Sequence, residues 1–341
     1  MRKAPHIGTL RAGARATIAD VAGVAVGHCT LDAGDVQTGV TAVLPHGGDL
    51  YLEKVPAAAC VINGFGKSVG LVQVDELGLL ETPIALTNTF GVGVVAAAQI
   101  RSACEVNAEI GREWPSVNPL VFECNDGYLN DLQAFAVEEL HYREALARCA
   151  EDFARGAVGA GRGMSCFELK GGIGSASRIV DIDANAYVVG ALVLANFGRL
   201  PQLTIAGERV GLALHATAQG QMKPEQGSII MLLATDAPLD SRQLRRMAMR
   251  AAAGLARTGS VYGHGSGDIA LAFSTAYTVP HDAAFVTLPP LLPDARLDPL
   301  FQAAADSIEQ AILDALFSAE TVTGRNGHRR LSLTDALKPT P

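Results

Sequence analysis

About two-thirds of the way along the chain, a polar segment stops abruptly at Gly227-Ser228, and six apolar residues, Ile229 to Ala234, follow without a break. A run this short, apolar and partly β-branched reads as a strand covered on both faces. The residues ahead of it, Met222, Lys223, Pro224, Glu225, Gln226 and Gly227, read as an exposed linker. A primary hydroxyl thus stands at the head of a buried strand. Cutting the chain between Gly227 and Ser228 would give one rigid residue both a hydroxyl and a free α-amine. Such an amine has a pKa of about 7.7 to 8.0 and can act as base for its own hydroxyl. From this stretch taken alone, Ser228 reads first as the opening residue of an ordinary core strand.

The rest of the chain narrows the classes open to it. With 49% hydrophobic and 18% charged residues and a mean hydropathy of +0.22, the 341 residues describe a globular protein with a large core rather than a disordered one. No internal repeat or inter-domain linker is visible, so residues 1–341 read as a single domain. A net charge of -8 and a pI of about 5.5 argue against a nucleic-acid partner. Cysteines at 29, 60, 104, 124, 149 and 166 form no C-x-x-C pair, which disfavours a zinc cluster or disulfide framework and fits free thiols in a reducing compartment. The basic start at Met1-Arg2-Lys3 lacks a signal-peptide apolar core, and no run approaches the ~18 apolar residues of a membrane span. The expectation is a cytoplasmic protein without a membrane partner.

Strand and turn signals alternate along the chain. Residues 17–28 suggest strand, turn, strand, and residues 38–48 another strand. Gly64-Phe65-Gly66-Lys67-Ser68 ends like a phosphate loop, but Val61 stands where the first glycine belongs, so a Walker site is rejected. A helical turn is expected at 75–80, strands at 82–89 and 119–123, a buried helix at 91–106, and an amphipathic helix near 136–150 with Phe135, Val137, Leu140, Ala145 and Leu146 in the core. A glycine-rich loop covers 156–163 and runs on through Lys170-Gly171-Gly172, after which a strand at 186–195 delivers Asn196 to a turn. Asp240 and Gln243 form an N-cap pair for a helix running to Arg257. A final helix spans about 298–319, with a polar tail from 324.

Three segments share one design, an apolar strand meeting a turn with small polar side chains: those carrying Asn196, Ser228, and Ser266 with Asp268. Asn196 could donate its amide to an oxyanion, or cap its strand in an Asx-turn. Ser266 could hydrogen-bond the nucleophile or its amine, with Asp268 holding the amine's charge; ordinary turn chemistry is the alternative. Glu123, an acid at the end of an apolar strand, could anchor a cationic substrate group or form an internal ion pair, for instance with Arg178. The histidines show no zinc-hydrolase spacing, and Gly265-Ser266-Gly267 supplies only the centre of a G-x-S-x-G elbow.

Taken together, these residues resemble the DmpA/BapA-type β-peptidyl aminopeptidases, self-processing serine hydrolases. The resemblance runs along nearly the whole chain, through Ile18 to His28, Thr38-Gly39-Val40-Thr41-Ala42, Glu81 to Thr89, Lys170-Gly171-Gly172-Ile173-Gly174, Ala195-Asn196-Phe197-Gly198, Ser228-Ile229-Ile230 and Gly265-Ser266-Gly267-Asp268. It implies an α/β fold: a four-layer αββα sandwich, like that of N-terminal-nucleophile hydrolases but differently connected. It further implies self-cleavage between Gly227 and Ser228 into chains 1–227 and 228–341, assembled as a homotetramer. In this family pattern Ser228 is the nucleophile, Asn196 the oxyanion donor, Ser266 and Asp268 the partners around the nucleophile, Glu123 the anchor for the substrate amine, and Asn125 a shaper of the pocket. No cofactor or metal is implied. The substrate would be a peptide, ester or amino-acid amide bearing a β-amino, D-amino or small L-amino residue. Two other readings stand beside this one: an unprocessed relative that only binds small amines, and an acyltransferase of the ornithine acetyltransferase type, whose nucleophile is threonine.

Overall fold

The computed structural model describes residues 4–216 and 226–338. The segment 17–28, expected to open with a strand, instead opens with a 3-10 turn, Ile18–Asp20. Its cause is local, because the Asp20 carboxylate takes the backbone N–H groups of Arg15 and Thr17, which a strand would direct into a ladder. The chain then forms β1 (Ala25–Leu31), β2 (Thr38–Leu44), β3 (Glu53–Gly64), the short helix α1 (Leu71–Leu77), β4 (Ile84–Asn88), α2 (Val92–Val106), β5 (Leu120–Cys124) and α3 (Glu139–Ala147). The second half supplies β6 (Gly172–Ile182), β7 (Asn185–Asn196), β8 (Gln226–Thr235), α4 (Ser241–Ala248), α5 (Ala251–Arg257), β9 (Gly265–Ser274) and the long α6 (Asp298–Ser318).

Among the described residues the main sheet pair is one in the order β1-β2-β4-β5 and a larger one whose long strands run β3-β9-β8-β7-β6. In the larger sheet β8 and β9 are parallel, and their crossover is made by α4 and α5. Three apolar cores separate four layers. Ile84, Leu86 and Phe122 of the first sheet meet Leu192, Ile230 and Leu271 of the second between the sheets. The outer face of the larger sheet packs Met231 and Leu233 against Leu244, Leu300 and Ile308 of the helices. The outer face of the smaller sheet packs Val40 and Val121 against Val95 and Tyr142. The architecture is the expected αββα sandwich.

Several local expectations change. The helix expected from 240 to 257 is two, α4 and α5, because Arg250 N–H bonds back to Met247 O, a tighter i−3 step that resets the ladder. Asp240 does cap α4, accepting the Gln243 N–H at 2.7 Å while Gln243 Oε1 accepts the Asp240 N–H. Phe135 and Leu140 are exposed rather than core, since α3 begins only at Glu139 and turns Tyr142 and Ala145 inward. Residues 324–338 are no loose tail. Leu331 O accepts the Lys170 N–H, Arg330 Nε donates to Ser165 Oγ, and Leu333 is fully buried, which anchors it to the body.

Candidate active site

Side chains alternate across a strand, and the cores show which way each row of β8 points. Ile230, Leu232 and Ala234 face the space between the sheets, whereas Ile229, Met231 and Leu233 face the helices. Ser228 therefore heads the row that points between the sheets. Asn196 heads the equivalent row of β7 behind Leu192 and Leu194, and it is the antiparallel ladder partner of Ser228. Such partners share a face with Cβ atoms about 4.5–5.5 Å apart. Hydroxyl and amide are thus set side by side by sheet register.

On its other side Ser228 pairs with Gly267 of β9, whose N–H donates to Ser228 Oγ at 3.2 Å. Glycine is required there by space: a Cβ would lie 2.6 Å from Phe65 O and 3.2 Å from Ser228 Oγ. Ser228 Oγ in turn donates to Gly227 O at 2.8 Å, so the hydroxyl already touches the carbonyl of the preceding peptide. Gly227 is not part of an exposed linker. It is buried inside β8 and pairs with Ser266, while Met222, Lys223, Pro224 and Glu225 lie outside the described residues. Gly227 is not in the left-handed region, and its requirement for glycine is again space, with Asn196 O 2.2 Å and Phe197 Cα 2.8 Å from a would-be Cβ.

Ser266 and Asp268 lie within β9, in the row continued by Ala270 and Ala272 toward the helices. They therefore flank the β8 backbone from the face opposite the Ser228 hydroxyl, opposite Gly227 and Ile229 in register. Ser266 Oγ donates to Asp268 Oδ1 at 2.6 Å, and both residues are fully buried. This is a strand-borne pair rather than turn chemistry. In the continuous chain the Ser228 hydroxyl takes its hydrogen bond from Gly267 N–H.

The Asn196 amide is held at both ends. Its Oδ1 accepts Ser165 N–H at 2.8 Å and its Nδ2 donates to Asn125 O at 2.9 Å, which fixes the orientation of the amide beside Ser228. The Asn125 side chain is engaged in its own turn, Oδ1 accepting Gly127 N–H at 2.9 Å. Glu123, in β5, is 3% exposed. Its Oε1 accepts Lys67 N–H at 2.9 Å and its Oε2 accepts the Thr89 hydroxyl at 2.5 Å. Both donors are neutral, and each carboxylate oxygen keeps a lone pair for a further donor. Arg178 is not its partner: that guanidinium donates to Ile7 O, Ser177 O and Gln310 Oε1.

Ser228, Glu123, Asn125, Thr89, Phe65 and Arg325 line a single cavity of about 870 Å³. Cys124, beside Glu123, is held neutral because burial pushes its thiol up, which disfavours it as a rival nucleophile. Burial also raises the neighbouring Asp126 to about 7. Among the described residues no group of three or more His, Cys, Asp or Glu is placed to hold a metal ion.

Sequence reasoning missed Thr89, the Gly267 N–H, and the Phe65 to Lys67 backbone. The last had a visible signal: the rejected Gly-Lys-Ser loop does present an N–H to an anion, but the anion is the protein's own Glu123 carboxylate.

Residues 16–330 match the model of peptidase family S58, and the chain belongs to that family. It is a serine aminopeptidase of the self-processing, N-terminal-nucleophile kind. Among its relatives is the beta-peptidyl aminopeptidase BapA of Sphingosinicella microcystinivorans, 40% identical over 93% of this chain and 85% of the relative. Among solved structures, the PH0078 protein of Pyrococcus horikoshii OT3 is 52% identical with a TM-score of 0.92, over 96% of this chain and 94% of the other. The L-aminopeptidase D-Ala-esterase/amidase of Ochrobactrum anthropi, described as a variant of the Ntn hydrolase fold, is 35% identical with a TM-score of 0.90, over 97% of this chain and 94% of the other.

Proposed function

We propose that the chain cuts itself between Gly227 and Ser228 and then uses Ser228 to release single N-terminal residues from peptides, amino-acid amides or esters. In the first reaction Ser228 Oγ attacks the Gly227 carbonyl carbon, the C–N bond to Ser228 breaks, and the hydroxyl proton ends on the new amine. Water then hydrolyses the ester. The 2.8 Å contact between Oγ and Gly227 O supports this reading, since the reacting groups are already neighbours.

After cleavage the α-amine of Ser228 serves as the base for its own hydroxyl. The Ser266–Asp268 pair, on the helix side of the sheet, orients that amine, while the Asn196 amide and the N–H of Gly267 stabilise the oxyanion. The acyl-enzyme is released by water. The observation that carries the assignment is that Glu123 shares the cavity of Ser228 with lone pairs to spare: a substrate ammonium bound there places the first amide bond, not an internal one, beside the nucleophile. Asn125 shapes the wall between them.

The names of the relatives support β-amino, D-amino and small L-amino residues as the acyl group. We further propose a homotetramer of cleaved protomers in the cytoplasm. Exposed apolar residues such as Val72 and Leu77 support association, and six free cysteines support a reducing compartment. The test is Glu123→Gln, assayed on β-alanyl and L-alanyl p-nitroanilides. Loss of a charged hydrogen bond of about 1.5–3 kcal/mol predicts a drop of roughly 10- to 100-fold in kcat/KM, mostly in KM, with self-cleavage unchanged because the precursor presents no amine to this anchor. Unchanged KM, or loss of self-cleavage, would contradict the role.

A further inference from the structure

Lys170 has no exposed surface, yet it carries an amine that must be hydrogen-bonded to be buried. Its Nζ donates to Gly161 O at 2.9 Å, Met164 O at 2.8 Å and Gly171 O at 2.7 Å, so three donors meet three backbone acceptors. Two of those carbonyls belong to the turn 161–164. The next residue, Ser165, supplies the N–H that holds Asn196 Oδ1. Gly171 N–H also bonds Met164 O at 3.0 Å, a second tie to the same turn.

The turn carries Gly161 and Gly163, and glycine backbone ranges widely unless it is tied. Gly163 is needed for close approach. A Cβ there would lie 2.2 Å from Gln37 O and 2.8 Å from Asp126 Cβ. The turn is thereby pressed onto the segment whose Asn125 O holds the other end of the Asn196 amide. Both grips on Asn196 adjoin this turn, and the Lys170 ammonium, together with the Gly171 N–H, ties it in place.

We propose that Lys170 is a positioning residue for the oxyanion donor: by fixing the 161–165 turn it holds the Asn196 amide in the orientation from which Nδ2 can reach the carbonyl attacked by Ser228. This rests on the reading of Asn196 as that donor. Lys170 acts through Asn196 and touches no reacting atom.

A double-mutant cycle on the processed enzyme separates this from general structural support. Asn196→Ala is expected to lower kcat by about 100- to 1,000-fold, and Lys170→Met by roughly 10- to 100-fold with KM within threefold. The double variant should be no slower than Asn196→Ala alone, because the lysine has nothing left to position. Lys170→Met should also lose affinity for a tetrahedral aminoalkyl boronate but not for an amino-acid amide product. Losses that multiply in the double variant, or a kcat unchanged in Lys170→Met, would overturn the proposal. An unaffected Asn196→Ala would instead overturn the underlying assignment. Should Lys170→Met fail to fold, Ser165→Pro deletes the connecting N–H with Lys170 in place; it should reproduce the kcat loss, and wild-type kcat in it would overturn the proposal.

Discussion

Replacing Gly267 with alanine adds one methyl group at the most crowded point of the site. The new Cβ would lie 2.6 Å from Phe65 O and 3.1 Å from Phe65 C, both backbone atoms that cannot rotate away, and 3.2 Å from Ser228 Oγ. Either β9 or the Phe65 segment must move, and both border the nucleophile. Forcing a methyl into a packed site costs about 1–3 kcal/mol, and moving a reacting group by about 1 Å costs on the order of 100-fold in rate. Gly267→Ala should therefore process itself about 100 times more slowly, followed as the time-dependent appearance of two fragments in denaturing gels. In a Ser228→Ala background, where no cleavage occurs, the same substitution should still lower stability by about 1–3 kcal/mol in urea, because the clash with Phe65 remains. Processing within threefold of wild type, together with a stability change below about 0.5 kcal/mol, would refute the packing argument.

Gly227→Ala should also slow processing by about 100-fold, since its Cβ would meet the backbone at Asn196 O, 2.2 Å away, and open the ladder that aligns Ser228; kinetics like wild type would show that the strand end yields freely. Asp126 gives a pH test. Burial raises its folded pKa to about 7 from 3.8, so the stability contributed by its neutral form is present below about pH 4 and lost as pH rises through 7. Measured in the Ser228→Ala background, Asp126→Asn should gain on wild type as pH rises from 4 to 8, by up to about 4 kcal/mol. A difference that stays flat across that range would contradict it.

What the sequence made legible follows from short-range rules. The apolar run at 229–234, the capping pair Asp240 and Gln243, and the helices at 92–106 and 298–318 carry their own periodicity or caps, and each formed close to its expected bounds. The candidate residues Asn196 and Ser228 were visible as polar ends of apolar strands. What brings them together is ladder register between strands about thirty residues apart, and no local pattern encodes that. The same limit hid Thr89 and the Lys67 N–H, whose meaning exists only once β4 and the loop after β3 converge on Glu123. The face of Ser266 and Asp268 was likewise unreadable, because both lie inside a strand that begins at Gly265, and alternation turns their side chains away from the Ser228 hydroxyl.

The central claim is that one serine becomes nucleophile and base by cutting its own peptide bond, and intact mass under denaturing conditions tests it most directly. Wild-type protein should give two fragments, one ending at Gly227 and one beginning at Ser228, while Ser228→Ala should give one uncut chain. A single uncut chain in wild type that nevertheless hydrolyses aminoacyl amides, or cleavage that persists in Ser228→Ala, would contradict the account.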